Sequence, residues 1–348
     1  FFFYLSKMAS EGSVFVIGNP LLDISATVDN AYLEKYDLKS ANAILAEEKH
    51  LPIYPEIIGN YDVEYSAGGA GQNTARALTW MTKSHNVARY VGCIGNDDYG
   101  KTLREAAIAD GVDVHYLLNE ETPTGTCAAL IVEKDRSLVA NLGAANKYEK
   151  SHFESEAIQK LLSDSKFLYS AGFFLTVCPE TLVHIGKHAA ETNKPFMFNL
   201  AAPFLIDFFT DKMKDVLPYA DYVVGNETEA TAFGKKFFET DDLKEVAKRL
   251  GEMDKVNKER ERIVIFTQGP NPVLVYHNGA VEEFPVVALP PDSIVDCNGA
   301  GDSFCGGFLS GLVLEKDLKT CVEAGCYCAQ TILQTGGVVF KGTPTFEF

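Results

Sequence analysis

The strongest chemical signal in the chain is Asp296-Cys297-Asn298-Gly299-Ala300-Gly301-Asp302-Ser303, which leads into the apolar stretch Phe304-Cys305-Gly306-Gly307-Phe308-Leu309. Small residues at the start of a helix leave backbone N–H groups unobstructed, and the helix end carries roughly half a positive charge. Gly299, Ala300 and Gly301 therefore form an anion hole. Asp302 falls in the first helical turn, where the same dipole is expected to keep its carboxylate ionised. An ionised carboxylate beside an anion hole suits phosphoryl transfer better than plain phosphate binding. It can orient a hydroxyl and take its proton while a phosphoryl group arrives at the N–H groups.

Three further segments contribute polar groups. Ser66-Ala67-Gly68-Gly69-Ala70-Gly71-Gln72-Asn73-Thr74 opens a helix with tiny residues, so a ligand can approach the backbone, and Asn73 offers a donor and an acceptor to a hydroxylated substrate. The segment fails G-x-G-x-x-G because its third position is Thr74, which disfavours a dinucleotide site. Thr267-Gln268-Gly269 closes the apolar run Ile263–Phe266. Asn226 and Glu229 lie three apart at the start of a helix that follows Tyr222–Val224. They either cap that helix or hold water around Mg²⁺, which takes few direct protein ligands.

One match misleads. Gly95-Asn96-Asp97-Asp98-Tyr99-Gly100-Lys101-Thr102 satisfies the Walker A pattern between a strand and a helix. A phosphate wrap containing Asp97 and Asp98 would set carboxylates against phosphates, at about 4 kcal/mol for each like-charge pair at 4 Å and an effective dielectric of 20. The expectation is a plain strand-to-helix turn with an Asp cap. His184 and His188 are four apart but lack the Glu of an H-E-x-x-H zinc pattern.

Alternating elements must position these groups. Val14–Gly18, Ala88–Gly95, Lys166–Gly172, Pro195–Asn199, Tyr222–Gly225 and Ile263–Gln268 read as strands. Gln72–Lys83, Lys101–Asp110, Pro179–Glu191 and Leu243–Met253 read as helices. That alternation predicts a buried parallel sheet with helices on both faces. Leu21–Val28 and Ala43–Ala46 break it. So does a hairpin of Thr126–Glu133 and Ser137–Leu142 turning at Lys134-Asp135-Arg136. The predicted organisation is a large α/β domain (8–20, 68–121 and 146–348) with a small β lid (21–67 and 122–145). Residues 1–7 are read as a non-native or disordered start before Met8.

With 348 residues, 46% of them hydrophobic, the chain can bury a large core. Its net charge of −17 opposes nonspecific binding to nucleic acid or to an anionic membrane. Its eight cysteines are too few for a disulfide framework in a chain of this length. No apolar run approaches a membrane span. The expected setting is a reducing compartment, the cytoplasm or alternatively the nucleus, and the expected state is a monomer.

Together these motifs resemble the ribokinase (PfkB) family of carbohydrate kinases. Asp296–Asp302 is similar to its D-[ST]-x-[GA]-A-G-D signature, with Cys297 replacing the hydroxyl residue. Gly68-Gly69 with Asn73 resembles its N-terminal signature, and Asn226-x-x-Glu229 resembles its magnesium-linked N-x-x-E. Asn19-Pro20-Leu21-Leu22-Asp23, Pro123-Thr124-Gly125-Thr126-Cys127, Arg136-Ser137-Leu138 and Ala171-Gly172-Phe173-Phe174-Leu175-Thr176-Val177 are similar to its eukaryotic branch that phosphorylates adenosine.

The resemblance implies a ribokinase-like fold and a transferase of purine salvage that makes AMP from adenosine and ATP with Mg²⁺. By position it implies Asp302 as base for the 5′-hydroxyl and Gly299, Ala300 and Gly301 as anion hole. Asp23, Gly69 and Asn73 would bind the ribose. Asn19, Cys127, Leu138, Ala140 and Phe174 would enclose the purine, with Phe174 as stacking face, and Asn298 would join the substrate site. Arg136 would reach the transferring phosphate. Asn226, Thr267 and Gly269 would serve ATP, and Glu229 would serve Mg²⁺ through water. Cys127 and Cys297 are expected to sensitise the site to thiol reagents. Two alternatives stay open: a kinase of the same family acting on another nucleoside or a sugar, and a nucleoside-binding protein without catalysis.

Overall fold

The computed structural model describes residues 9–40, 42–133 and 135–348. The expected start at residues 1–7, and Met8, lie outside the described residues, as does Lys134 of the expected turn. The strands in chain order are β1 (Val14–Ile17), β2 (Leu21–Thr27), β3 (Ala43–Leu45), β4 (Val63–Gly68), β5 (Ala88–Gly95), β6 (Asp113–Asn119), β7 (Thr126–Val132), β8 (Asp135–Asn141), β9 (Phe167–Ala171), β10 (Phe196–Asn199), β11 (Tyr222–Asn226), β12 (Ile263–Gln268), β13 (Asn271–His277) and β14 (Ala280–Phe284).

Among the described residues these strands form two sheets. The larger has the order β14-β13-β12-β11-β10-β9-β1-β5-β6. It is parallel from β12 to β6, with β13 and β14 added antiparallel at one edge. Its strands are buried on both faces, and β1 shows how. Phe15 and Ile17 enter one apolar cluster with Phe174, Phe198 and Phe233, while Val14 and Val16 enter another with Tyr90, Phe304 and Phe308. Alternate side chains of a strand point to opposite faces, so helices must cover both. Each fully buried Val, Ile or Phe contributes about 1.5–3 kcal/mol. The chain winds outward from β1 in both directions, first to β5 and later to β9. That reversal makes the carboxyl end of β1 a topological switch point, the place where open α/β sheets hold ligands.

The smaller sheet, β3-β8-β7-β2-β4, has one face packed on the short helices Asn30–Lys35 and Ile53–Asn60. The expected hairpin is β7–β8, but β8 begins at Asp135, so Asp135 and Arg136 belong to the strand and not to the turn. The chain enters this sheet at Leu21, and β4 leaves it at Gly68. Thr124, just before β7, ties it to the larger sheet: Asp97 accepts from the Thr124 N–H at 2.8 Å and also from its hydroxyl. Burial opposes ionisation of Asp97, but these bonds and one from the Gly100 N–H hold its carboxyl below the usual range. The Walker-like segment is thus a capped turn. No helix among the described residues is long and apolar enough to cross a membrane.

Candidate active site

Two helices bring Asp302 to its partners. Ala300–Val313 packs on Ala70–Thr82 so closely that a Cβ on Gly306 would lie 2.4 Å from Ala77 Cβ. This approach sets Asp302, in the first turn of one helix, against Asn73, in the first turn of the other. Asn73 Nδ2 donates to Asp302 Oδ2 at 3.1 Å, and Thr74 Oγ1 donates to the Asp302 carbonyl at 3.1 Å.

Asp302 stands where two cavities meet. The first, of about 220 Å³, opens at the switch point between the sheets. Asn19, Asp23, Gly69, Asn73, Cys127, Arg136, Leu138, Ala140, Phe174, Asn298, Gly299 and Asp302 all line it. The second, of about 350 Å³, lies over the strand ends of β11 and β12 and contains Asn226, Glu229, Thr267, Asn298, Gly299, Gly301 and Asp302. Register alone pairs Asn226 with Thr267. Gly269 lies past the end of β12 in open space and lines neither cavity, and nor does Ala300. The Ala300 N–H points to the Cys297 carbonyl at 3.4 Å, so of the three expected anion-hole residues only Gly299 and Gly301 line a cavity.

Backbone geometry explains the glycine pair. Gly69 has φ +89°, and a Cβ there would lie 2.1 Å from the Asn19 carbonyl oxygen. A Cβ on Gly68 would lie 2.2 Å from Asp23 Oδ1, so Gly68 makes room for the carboxylate. Gly299 has φ +75° and faces Val338.

The electrostatics revise one expectation. The helix dipole does not keep Asp302 at an ordinary acidity. Burial pushes its carboxyl up to about 7, opposed by the Asn73 hydrogen bond and assisted by the charge of Asp23. Asp23 is likewise pushed up to about 6 by burial, against the pull of Arg136 and Arg76. Glu229 rises to about 7 for the same reason.

Other placements differ from the sequence reading. Arg136 lines the first cavity only. Its Nε is 3.1 Å from Asp296 Oδ2 in a pair that is 6% and 4% exposed, and this ion pair joins β8 to the loop before the helix Ala300–Val313. Asp296 Oδ1 also accepts from the Asn298 N–H and side-chain amide, each at 2.9 Å. Phe174 is wholly buried with its ring edge-on to Tyr148, whereas the adjacent Phe173 is half-buried, lies 6.2 Å from the Phe204 ring and lines both cavities. Asn226 and Glu229 form a reciprocal cap: Asn226 Oδ1 accepts from the Glu229 N–H, and Glu229 Oε2 accepts from the Asn226 N–H. Burial pushes the Cys127 thiol well up, which disfavours its reactive form, while Cys297 is exposed in the second cavity. Phe173, Phe204, Val338, Asn199 and Ala201 line the site without having been singled out. Of these only Phe173 carried a signal, its place in Gly172-Phe173-Phe174.

The chain is similar to known proteins along nearly its whole length. The pfkB family carbohydrate kinase model matches residues 30–345. Adenosine kinase 2 of Arabidopsis thaliana is 46% identical over 338 residues, covering 97% of this chain and 98% of that protein. The adenosine kinase of Dictyostelium discoideum is 46% identical over 340 residues, covering 97% and 100%. Among solved structures, Anopheles gambiae adenosine kinase in complex with P1,P4-di(adenosine-5) tetraphosphate has a TM-score of 0.92 at 44% identity, covering 97% of this chain and 100% of that one. Adenosine kinase from Schistosoma mansoni, bound to adenosine in an occluded loop conformation, has a TM-score of 0.90 at 36% identity and covers 97% and 98%.

Proposed function

The chain belongs to the pfkB family of carbohydrate kinases, and from that premise we propose that it transfers the γ-phosphoryl group of ATP to the 5′-hydroxyl of adenosine, giving AMP and ADP. The observation that carries this reading is Asp302, a half-buried carboxylate at the junction of two cavities and on the N-terminus of a helix.

Adenosine fits the first cavity. Asp23 accepts hydrogen bonds from the two ribose hydroxyls, beside Gly69 and Asn73. Leu138, Ala140, Cys127 and the Phe173–Phe174 pair enclose the purine, with Asn19 at its edge. Asp302 receives the 5′-hydroxyl, orients it and takes its proton. A carboxyl near 7 is matched to that task, because a base works best when its pKa lies close to the working pH. The N–H groups of Gly299 and Gly301 face the transferring phosphoryl oxygens, with Ala300 completing the turn. ATP lies in the second cavity along Asn226, Thr267 and the strand ends. Residues 21–67 and 122–145 act as the lid, and Arg136 brings a cation with it when the lid docks through Asp296. Closure excludes water, which competes as acceptor.

Mg²⁺ fits the second cavity. Glu229 is a buried carboxylate there with no ion-pair partner among the described residues, and Mg²⁺ is held with few direct protein ligands, its other positions filled by water and phosphate. Glu229 would hold it through water, and the bound ion would supply charge neutralisation on the phosphates of ATP.

Incubation with adenosine and γ-labelled ATP tests the reading. The expected label is in the 5′-phosphate of AMP. Label released only as inorganic phosphate contradicts it.

A further inference from the structure

Arg76 is buried on the helix Ala70–Thr82, three residues after Asn73. Its guanidinium joins four parts of the fold. Nε donates to Asp110 Oδ2 at 2.5 Å, and Nη1 donates to the Ala67 carbonyl at the end of β4. Nη1 also donates to Asn73 Oδ1 at 3.3 Å, and Nη2 donates to the Val338 carbonyl at 2.9 Å.

The Asn73 contact has a directional consequence. A side-chain amide has one acceptor end and one donor end. With a guanidinium on Oδ1, the Nδ2 end must face the other way, and there it donates to Asp302 Oδ2. Oδ2 is then engaged, and Oδ1 is left for a substrate hydroxyl. The Val338 contact acts on the other half of the site. Val338 packs against Gly299, where an added Cβ would lie 2.1 Å from its Cγ2. Only a planar fork with several fixed donors can hold these acceptors at once; a lysine ammonium is a point donor.

We propose that Arg76 is a positioning residue for the phosphoryl transfer: it fixes the Asn73 amide, and through it the Asp302 carboxylate, while the same guanidinium holds Val338 against the anion-hole glycine. The proposal rests on the adenosine-phosphorylating reading and assigns a role to a residue that touches neither substrate.

The groups facing Asp302 make the pH dependence readable. Asp23 on β2 and Glu229 on the helix Glu227–Phe238 add negative charge. The phenols of Tyr90 on β5 and Tyr169 on β9, and the Cys305 thiol on its own helix, are held neutral by burial. Asn73 is the donor that favours the ionised form. Loosening it must therefore move the acid limb of kcat to higher pH.

The test is a double-mutant cycle on kcat, with adenosine and Mg·ATP, of Arg76→Ala, Asn73→Ala and the pair. Arg76→Ala is expected to lower kcat about tenfold or more, as a misplaced base does, and to shift the acid limb upward. Because part of its action runs through Asn73, the double variant is expected to share the acid limb of Asn73→Ala alone and to lose well short of the product of the two single losses in kcat. Losses that multiply, or an unmoved acid limb, overturn the proposal. If Arg76→Ala does not fold, Arg76→Lys carries the same cycle, with the same two outcomes. A wild-type protein without adenosine turnover overturns the reading beneath; an active wild type with multiplying losses overturns this proposal alone.

Discussion

In the proposed role of base, Asp302 must be shielded from water and ionised at once, and the two demands oppose each other. Burial favours its protonated form in the folded state, so the native protein binds this proton more tightly than the unfolded chain does. Stability from that source is fully present below the ordinary value of 3.8 and is lost as pH rises through about 7. Asp302→Asn removes the loss along with the base. It is expected to lower kcat by about 10²–10⁴ with little change in adenosine KM, and to raise Tm more at pH 8 than at pH 5. Steady-state kinetics and thermal melts at both pH values check this. The signature that holds Asp302 was legible in the sequence, but its acidity was not. A helix dipole can be read from a motif, whereas desolvation depends on how the helices Ala300–Val313 and Ala70–Thr82 come together around the carboxyl. Likewise, the sequence could not say which of Phe173 and Phe174 lines both cavities, because the short helical turn Gly172–Thr176 decides which ring turns inward.

At the scale of elements, the site depends on places where chains pass too closely for a side chain. Gly68 ends β4 against Asp23. Gly68→Ala leaves the apolar clusters untouched, so Tm is expected to hold while adenosine KM rises about tenfold through displacement of one charged hydrogen-bond acceptor. Calorimetry and kinetics on one preparation separate the two. The ion pair between β8 and the signature loop sits at a similar juncture. Asp296→Asn would leave Arg136 buried without its anion and release Asn298 and the Gly337 N–H. Breaking such a buried pair costs about 3–5 kcal/mol, so Tm should fall, and the β7–β8 hairpin should be cleaved faster in limited proteolysis. Unchanged proteolysis would mean that the pair does not hold the lid. The central strands were readable because parallel strands buried on both faces are continuous apolar runs. β6 and β14 were not, because they are the edge strands, are only partly buried and carry Asp, His, Asn or Glu, while β13 is interior and its buried run Val273–Tyr276 was a signal left unread. The helices Asn30–Lys35 and Ile53–Asn60 on the smaller sheet are too short for a helical period to show.

Over the whole molecule, the net charge of −17 would act on the two proposed substrates differently. Adenosine is neutral, but Mg·ATP is an anion approaching an acidic protein. Raising an inert salt from about 10 to 100 mM shortens the screening length from about 30 to 10 Å. The kcat/KM for Mg·ATP is therefore expected to rise severalfold, while that for adenosine stays level. A fall for Mg·ATP would mean that a local cationic field outweighs the total charge.

The central claim is that one carboxylate, Asp302, serves adenosine in particular. Its most direct test is ADP release from Mg·ATP with adenosine, inosine, guanosine and ribose as separate acceptors, run with the wild-type protein and with Asp302→Asn. The account predicts turnover with adenosine well above the other acceptors, and its loss in the variant. Preference for ribose or another nucleoside, or an undiminished variant, would contradict it.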